Sequence, residues 1–273
     1  MVALSFIWVT HLQTHYNNEY FDLQADLAND TPTKWTGGSR VLVDGLLPTW
    51  SALAASVTLT VFGILSVWGA KWDSQPVVYI AIAIMTLAWS YTSPPVRLHY
   101  HSLGELTVAT VLTVLTPLFG FATQPGTGKT WETFTMPSSL PYLLAILAIQ
   151  QWARMVVMNI PDVEGDLRVS KITFAARIGV RNAANIYYAV QVLTPFLALI
   201  FLPWPLSCAF LSLSLYGLKA AKKVKLACNS GSWNHIDETV SIPFEATGHC
   251  AGTALACTTA MILLSLAGSK AGL

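Results

Sequence analysis

Asn18, Asp22 and Asp26 recur at four-residue intervals, and a similar set, Asn159, Asp162 and Asp166 with Glu164 between the acids, follows about 140 residues later. On a helix, residues four apart stack along one stripe, about 6 Å from one to the next. Oxygen donors held that closely repel one another unless a cation lies between them, and hard oxygen ligands suit Mg2+. A solvated acidic helix end could carry one such cluster. Two clusters, each launched by an Asn at the end of an apolar run, point to a metal site. Basic residues follow both. After the first come Trp35-Thr36-Gly37-Gly38-Ser39-Arg40, where glycines can turn backbone N–H groups toward an anion and Arg40 can fork onto phosphate. After the second come Arg168, Lys171, Thr173 and Arg177. Acids and then cations on one face is the arrangement a Mg2+–diphosphate ligand requires.

The elements that must position these residues are membrane helices. Of 273 residues, 53% are hydrophobic and 11% charged, against roughly 25% charged in an average soluble domain. So few charges exclude a soluble globular enzyme; the hydrophobicity excludes disorder, four cysteines are too few for a disulfide scaffold, and a net charge of +1 gives no support to nucleic-acid binding. Apolar runs near 2–16, 46–70, 75–92, 105–123, 139–160, 183–202, 203–218 and 247–269 predict about eight transmembrane helices in an all-α polytopic protein, 1–273 forming a single domain. Trp50, Trp68, Trp72, Trp89, Tyr91 and Trp204 suit an interfacial belt. With eight helices, one face collects Lys34, Arg40, Arg97, Arg154, Arg168, Lys171, Arg177, Arg181, Lys219, Lys222, Lys223 and Lys225, and the other only Lys71, Lys129 and Lys270. The positive-inside rule makes the first face cytosolic or its organellar equivalent, and both acid clusters emerge there.

Several patterns read more simply than the sites they echo. Gly126-Thr-Gly128-Lys129-Thr130 echoes a phosphate-binding loop, but the glycine its spacing needs at 123 is Thr. His11 with His15, and His99 with His101, lack companion ligands at zinc spacing and read as polar helix-end residues. Asn29-Asp30-Thr31 is a glycosylation sequon on a face predicted cytosolic, and the cysteines read as free thiols.

Asn18-Glu-Tyr-Phe-Asp22-Leu-Gln-Ala-Asp26 resembles the first motif, N-x-x-x-D-x-x-x-D, of the UbiA superfamily of intramembrane prenyltransferases. Asp162-Val-Glu164-Gly-Asp166, followed by Lys171-Ile-Thr173 and Ala176-Arg177-Ile-Gly179, resembles its second, D-x-E-x-D. Gly37-Gly38-Ser39-Arg40, Tyr91-Thr-Ser-Pro-Pro95 and Leu103-Gly104-Glu105 are similar to segments of its MenA-like dihydroxynaphthoate branch, although the first-motif spacing is nearer the general family and Ser170 replaces a usual glycine. The resemblance spans about residues 10–190. It implies a UbiA-like bundle lacking the family's first helix, since Met1 falls inside what resembles the second.

The implied activity is Mg2+-dependent transfer of a prenyl group from an allylic prenyl diphosphate to a small aromatic acceptor within the bilayer. Asp22, Asp26, Asp162 and Asp166 would be catalytic and, with Asn18, hold the metal; Arg40, Lys171 and Arg177 would bind diphosphate; Asn159, Glu164, Arg168 and Tyr91 are further candidates. Three alternatives stand beside it. A terpene cyclase of the same fold would ionise the same diphosphate and quench the cation internally. An inactive truncated paralogue would keep the motifs without turnover. A secondary transporter would place its acids near the bilayer midplane on broken helices, whereas these lie at helix ends.

Overall fold

Each apolar run is a helix in the computed structural model, which describes residues 2–30, 32, 36–71, 73–234 and 236–270. Met1, Lys34, Trp35 and Trp72 of the sequence argument lie outside the described residues. In chain order, α1 (Val2–Phe21) breaks at Asp22 and resumes as α2 (Leu23–Ala28). Then come α3 (Trp50–Lys71) and α4 (Gln75–Ser90). Next, α5 (Gly104–Thr110) passes through a π-helical turn (Val111–Leu115) into α6 (Thr116–Ala122). After α7 (Leu140–Met158) the chain makes the short α8 (Val163–Arg168) and α9 (Phe174–Ile178), then the long α10 (Val180–Phe201), α11 (Trp204–Ser230) and α12 (Ile236–Lys270). Prolines sit in the first turns of α4, α7 and α11, where a missing N–H costs nothing, and Gly231 at φ +77° ends α11 in the left-handed conformation.

Among the described residues, five segments are long and apolar enough to cross a membrane: Trp50–Gly69, Gly104–Ala122, Leu140–Met158, Val180–Phe201 and Ile242–Ser265. Gln75–Ser90 is apolar but shorter. All eight predicted runs are helical, and length and composition alone single out five of them as candidate spans. The excluded helices are mixed in character. α1 continues to Phe21 through Gln13, Asn17 and Asn18, and α11 continues beyond residue 218 through Lys219, Lys222, Lys223 and Lys225.

The helices bury their apolar faces in three groups. Phe6, Val67, Val77, Ile84 and Phe119 join α1, α3, α4 and α6. Leu143 and Leu147 of α7 pack with Ala198 of α10, Phe210 of α11 and Cys257 of α12. Ala153, Val156 and Val157 of α7 pack on Ala183, Ala184 and Tyr187 of α10 and on Ala221 and Val224 of α11. Alanines at these seams let backbones approach closely, which matters where lipid removes most of the hydrophobic drive between helices. Polar groups caught between helices find partners: Gln13 Nε2 donates to Ser56 Oγ at 3.3 Å, Asn17 Nδ2 to Ser93 Oγ at 2.8 Å, and Gln150 Nε2 to Thr194 Oγ1 at 3.1 Å. At one end Lys129 pairs with Asp73, and Gln75 N donates to Lys129 O at 2.8 Å. The loops that carry the acidic motifs gather at the other end.

Candidate functional site

The first motif does not ride one continuous helix. α1 stops at Phe21 and Asp22 adopts φ −99°, ψ 1° before α2 begins, yet Asp22 N still donates to Asn18 O (2.8 Å) and Asp26 N to Asp22 O (3.1 Å). The break keeps the four-residue spacing while turning the chain over the end of α1. The second motif is built alike, with Asp166 N donating to Asp162 O at 2.8 Å across the start of α8. α2 and α8 pack on each other because position 165 is glycine: a Cβ there would stand 3.2 Å from Asn29 Cα and 3.3 Å from Ala28 O.

Lys171 closes the join. Its Nζ lies 2.7 Å from Asp22 Oδ2 and 3.2 Å from Asp166 Oδ1, and its side chain is only 5% exposed. Burial opposes its charge, but the two carboxylates outweigh burial and hold the ammonium well above its ordinary pKa. Burial likewise works against ionised Asp22, and Lys171, His99 and the Tyr100 hydroxyl together overcome it, leaving Asp22 below the usual carboxylate range. The remaining acids lack that compensation. Burial, then the neighbouring Asp22 charge, pushes Asp26 up to about 7; burial, then Asp166, pushes Asp162 up to about 8; burial outweighs Lys171 and raises Asp166 to about 6.

These groups floor a cavity of about 570 Å3. Its walls are Ile7 and Thr10 of α1, Ile84, Leu87 and Ala88 of α4, Thr107, Val108, Val111 and Leu112 along α5 and the π turn, and Met155 and Met158 of α7, with Tyr91 beside His99 near the floor. A polar, acidic floor under a largely apolar chamber can hold a molecule that is charged at one end and greasy along its length.

The predicted residues are distributed unequally around this cavity. Asn18, Asp22, Asp26, Tyr91, Asp162, Asp166 and Lys171 line it. Asn159 lies buried behind it, donating through Nδ2 to Glu105 Oε1 at 2.8 Å. Arg40 stands outside the lining, with Nη1 donating to Asp26 O at 3.1 Å and Nη2 at 3.5 Å from Asp44. Glu164 and Arg177 are exposed and also outside it, and exposed Arg168 pairs with Asp30. Gly37, Gly38 and Ser39 do line the cavity. Gly38, at φ +69°, lies so close to the Asp26 carboxylate that a Cβ would overlap it, and Glu19 accepts from Ser39 N and Oγ, each at 2.8 Å.

The loop between α4 and α5 contributes what the motif reasoning missed. Tyr100 Oη donates to Asp22 Oδ1 at 2.9 Å, and the Arg97 guanidinium covers the Tyr100 ring at 3.7 Å while Nη2 donates to Phe21 O at the open end of α1. Fully buried Glu105 accepts from Asn159 and from Phe174 N, both through Oε1 at 2.8 Å, so it grips the second motif before and after its acids. His99 stacks on Tyr91 with ring centroids 4.6 Å apart. Burial, reinforced by Lys171, lowers His99 to about 3 and keeps it neutral. The advance signals for this loop were the Tyr91-Thr-Ser-Pro-Pro95 and Leu103-Gly104-Glu105 resemblances, which mark Tyr91 and Glu105 but not Arg97, His99 or Tyr100.

Among the described residues no three acids, histidines or cysteines form a ready-made metal cluster, and the ammonium of Lys171 stands where the two motifs meet. The donor chemistry nevertheless fits a hard divalent cation. Asn18 Oδ1 and Asp166 Oδ2 are buried and accept no hydrogen bond, and Asp26 and Asp162 lack a cation of their own.

The sequence matches the UbiA prenyltransferase family over residues 1–234. It is also 29% identical over 179 residues to a protein named digeranylgeranylglyceryl phosphate synthase from Thermococcus kodakarensis, a match covering 65% of this chain and 56% of that one. The chain thus spans about half the length of this curated relative. No solved structure matches.

Proposed function

The chain belongs to the UbiA prenyltransferase family, and from that premise we propose that it transfers a prenyl group from an allylic prenyl diphosphate to an acceptor held in the cavity. The observation that carries the proposal is the meeting of two acidic segments, distant in sequence, at the floor of one largely apolar chamber. The prenyl tail lies along the apolar walls and the diphosphate at the floor. There Gly37, Gly38 and Ser39 line the cavity beside it, while Lys171 fixes Asp22 and Asp166. Asn18, Asp22, Asp26, Asp162 and Asp166 are the groups that would hold Mg2+. When bound, that ion supplies positive charge against the departing diphosphate. The C–O bond to diphosphate breaks with its electron pair leaving on oxygen, the allylic carbon takes an electron pair from the acceptor, and the acceptor sheds one proton.

The acceptor reading drawn from the MenA-like segments is an electron-rich aromatic carbon. A second reading rests on the relative's name, which specifies a glyceryl phosphate bearing geranylgeranyl groups and no aromatic ring. Incubating the purified chain with Mg2+, an allylic prenyl diphosphate and either acceptor class, followed by mass spectrometry, tests the proposal. A prenylated acceptor with stoichiometric diphosphate release is expected. A cyclic hydrocarbon formed from the diphosphate alone, or no consumption of it, overturns the reading.

A further inference from the structure

Among the described residues that line the cavity, Arg154 is the cation the proposed reaction leaves unused. It belongs to α7, a membrane-spanning helix, and its Nε donates to Thr247 Oγ1 at 3.1 Å and its Nη1 to Met155 Sδ at 3.2 Å. Both partners are uncharged, and Arg154 makes no ion pair with any described residue. A guanidinium carries five donors in a planar fork, so most of its capacity is left for the cavity. An ionised side chain within a span is costly unless it meets a counter-charge, and it marks a ligand path by default.

A second polar feature faces the same space. His11 and His15 of α1 both line the cavity, their Nε2 atoms 3.3 Å apart and their rings edge to face at 4.7 Å. The extensive packing partners of α1 are α3, α4, α6 and α2, and those of α7 are α5, α10, α12, α9 and the π turn, so the two helices supply separate walls. Both helices run toward the acidic floor. At 1.5 Å per residue, Arg154 lies about 6 Å and His15 about 9 Å short of their helix ends, with His11 about 15 Å short. Charged and imidazole donors therefore line the chamber one level above the acidic floor, with Met155 and Met158 between Arg154 and the acids on one side.

We propose that Arg154, with His11 and His15 on the other wall, is the docking station for an anionic head group on the acceptor, a carboxylate or a phosphate monoester. Acceptor choice is then set by the oxyanion rather than by aromaticity, which makes an aromatic acid and a glyceryl phosphate two forms of one ligand chemistry. The inference rests on reading the cavity as a prenyl-transfer chamber.

The test uses the full chain in detergent with Mg2+ and reads tryptophan fluorescence. The probes are 4-hydroxybenzoate and its methyl ester, geranylgeranylglyceryl phosphate and its phosphate-free alcohol, and farnesyl diphosphate. One acid should bind at least about tenfold more tightly than its neutral counterpart, and Arg154→Gln should erase that margin while Arg154→Lys retains part of it. Farnesyl diphosphate affinity should stay unchanged in both variants, which also certifies their folding. Whichever acid shows the margin identifies the source of the oxyanion. A wild-type chain that favours neither acid, or an Arg154→Gln chain that keeps the margin, overturns the proposal. So does a variant whose loss falls on farnesyl diphosphate instead, because Arg154 would then serve the donor. Failure of wild type to bind farnesyl diphosphate in a Mg2+-dependent way would instead count against the prenyl-transfer reading itself.

Discussion

The four motif aspartates fall into two pairs that the sequence pattern makes look equivalent. Asp22 and Asp166, one from each motif, share the ammonium of Lys171. Asp26 and Asp162, again one from each, have no cationic partner among the described residues; Asp26 lies under Gly38 and Asp162 accepts from Asn29 Nδ2 at 2.8 Å. The inner pair is a buried ion triad that ties the motifs together. The outer pair is surplus negative charge that burial keeps protonated near neutral pH. One pair builds the site, and the other waits for a ligand.

Removing the hub should give the largest effect. Lys171→Met leaves the carboxylates of Asp22 and Asp166 facing each other while buried, and breaking a buried pair from one side costs about 3–5 kcal/mol. A marked fall in melting temperature in detergent is expected; a variant as stable as wild type would show that the triad does not hold the motifs together. The outer pair should behave oppositely. Asp26→Asn and Asp162→Asn preserve shape and remove charge, so stability should change little or rise, while prenyl transfer falls on the order of 100-fold. Stability loss matching that of Lys171→Met would erase the distinction between the pairs.

Protons sharpen the contrast further. Asp26 and Asp162 sit at about 7 and about 8, so both are largely protonated at pH 6 and must lose protons to ligate a metal. Raising the pH from 6 to 8 should therefore tighten apparent Mg2+ affinity by at least about tenfold, measured by calorimetry. Asp26→Asn should flatten that dependence. The smallest effect belongs to Tyr100→Phe, which removes one donor from Asp22 and should cost about 1.5 kcal/mol. Lys171 still holds Asp22 ionised, so the Mg2+ pH profile should keep its midpoint.

The parts of this arrangement that sequence could reveal were local or periodic. Asn18, Asp22 and Asp26 announce themselves by spacing, the helices by apolar length, and the sharing of one face by the tally of lysines and arginines. Only five of the eight runs stand out by apolar length because α1 and α11 mix apolar with polar stretches, and lysine, a good helix former, lets α11 run on past Tyr216. The bases were harder to place. Arg40, Arg168 and Arg177 follow the acids as Lys171 does, Arg168 more closely still, but only a long-range contact decides which base turns inward. Glu105 reaches Asn159 across 54 residues, and Arg154 looks in sequence like one more count toward the positive face.

The ion triad also has a place in time. Asp22 and Lys171 are 149 residues apart, and ribosomes add roughly 5–20 residues per second. Asp22 therefore leaves the ribosome roughly 7–30 s before its counter-ion exists, while α3, α4 and α7 are being delivered to the bilayer. The floor of the chamber is among the last features this front half can complete during biosynthesis, and until then the membrane must accommodate a half-built chamber with its acids protonated or wet.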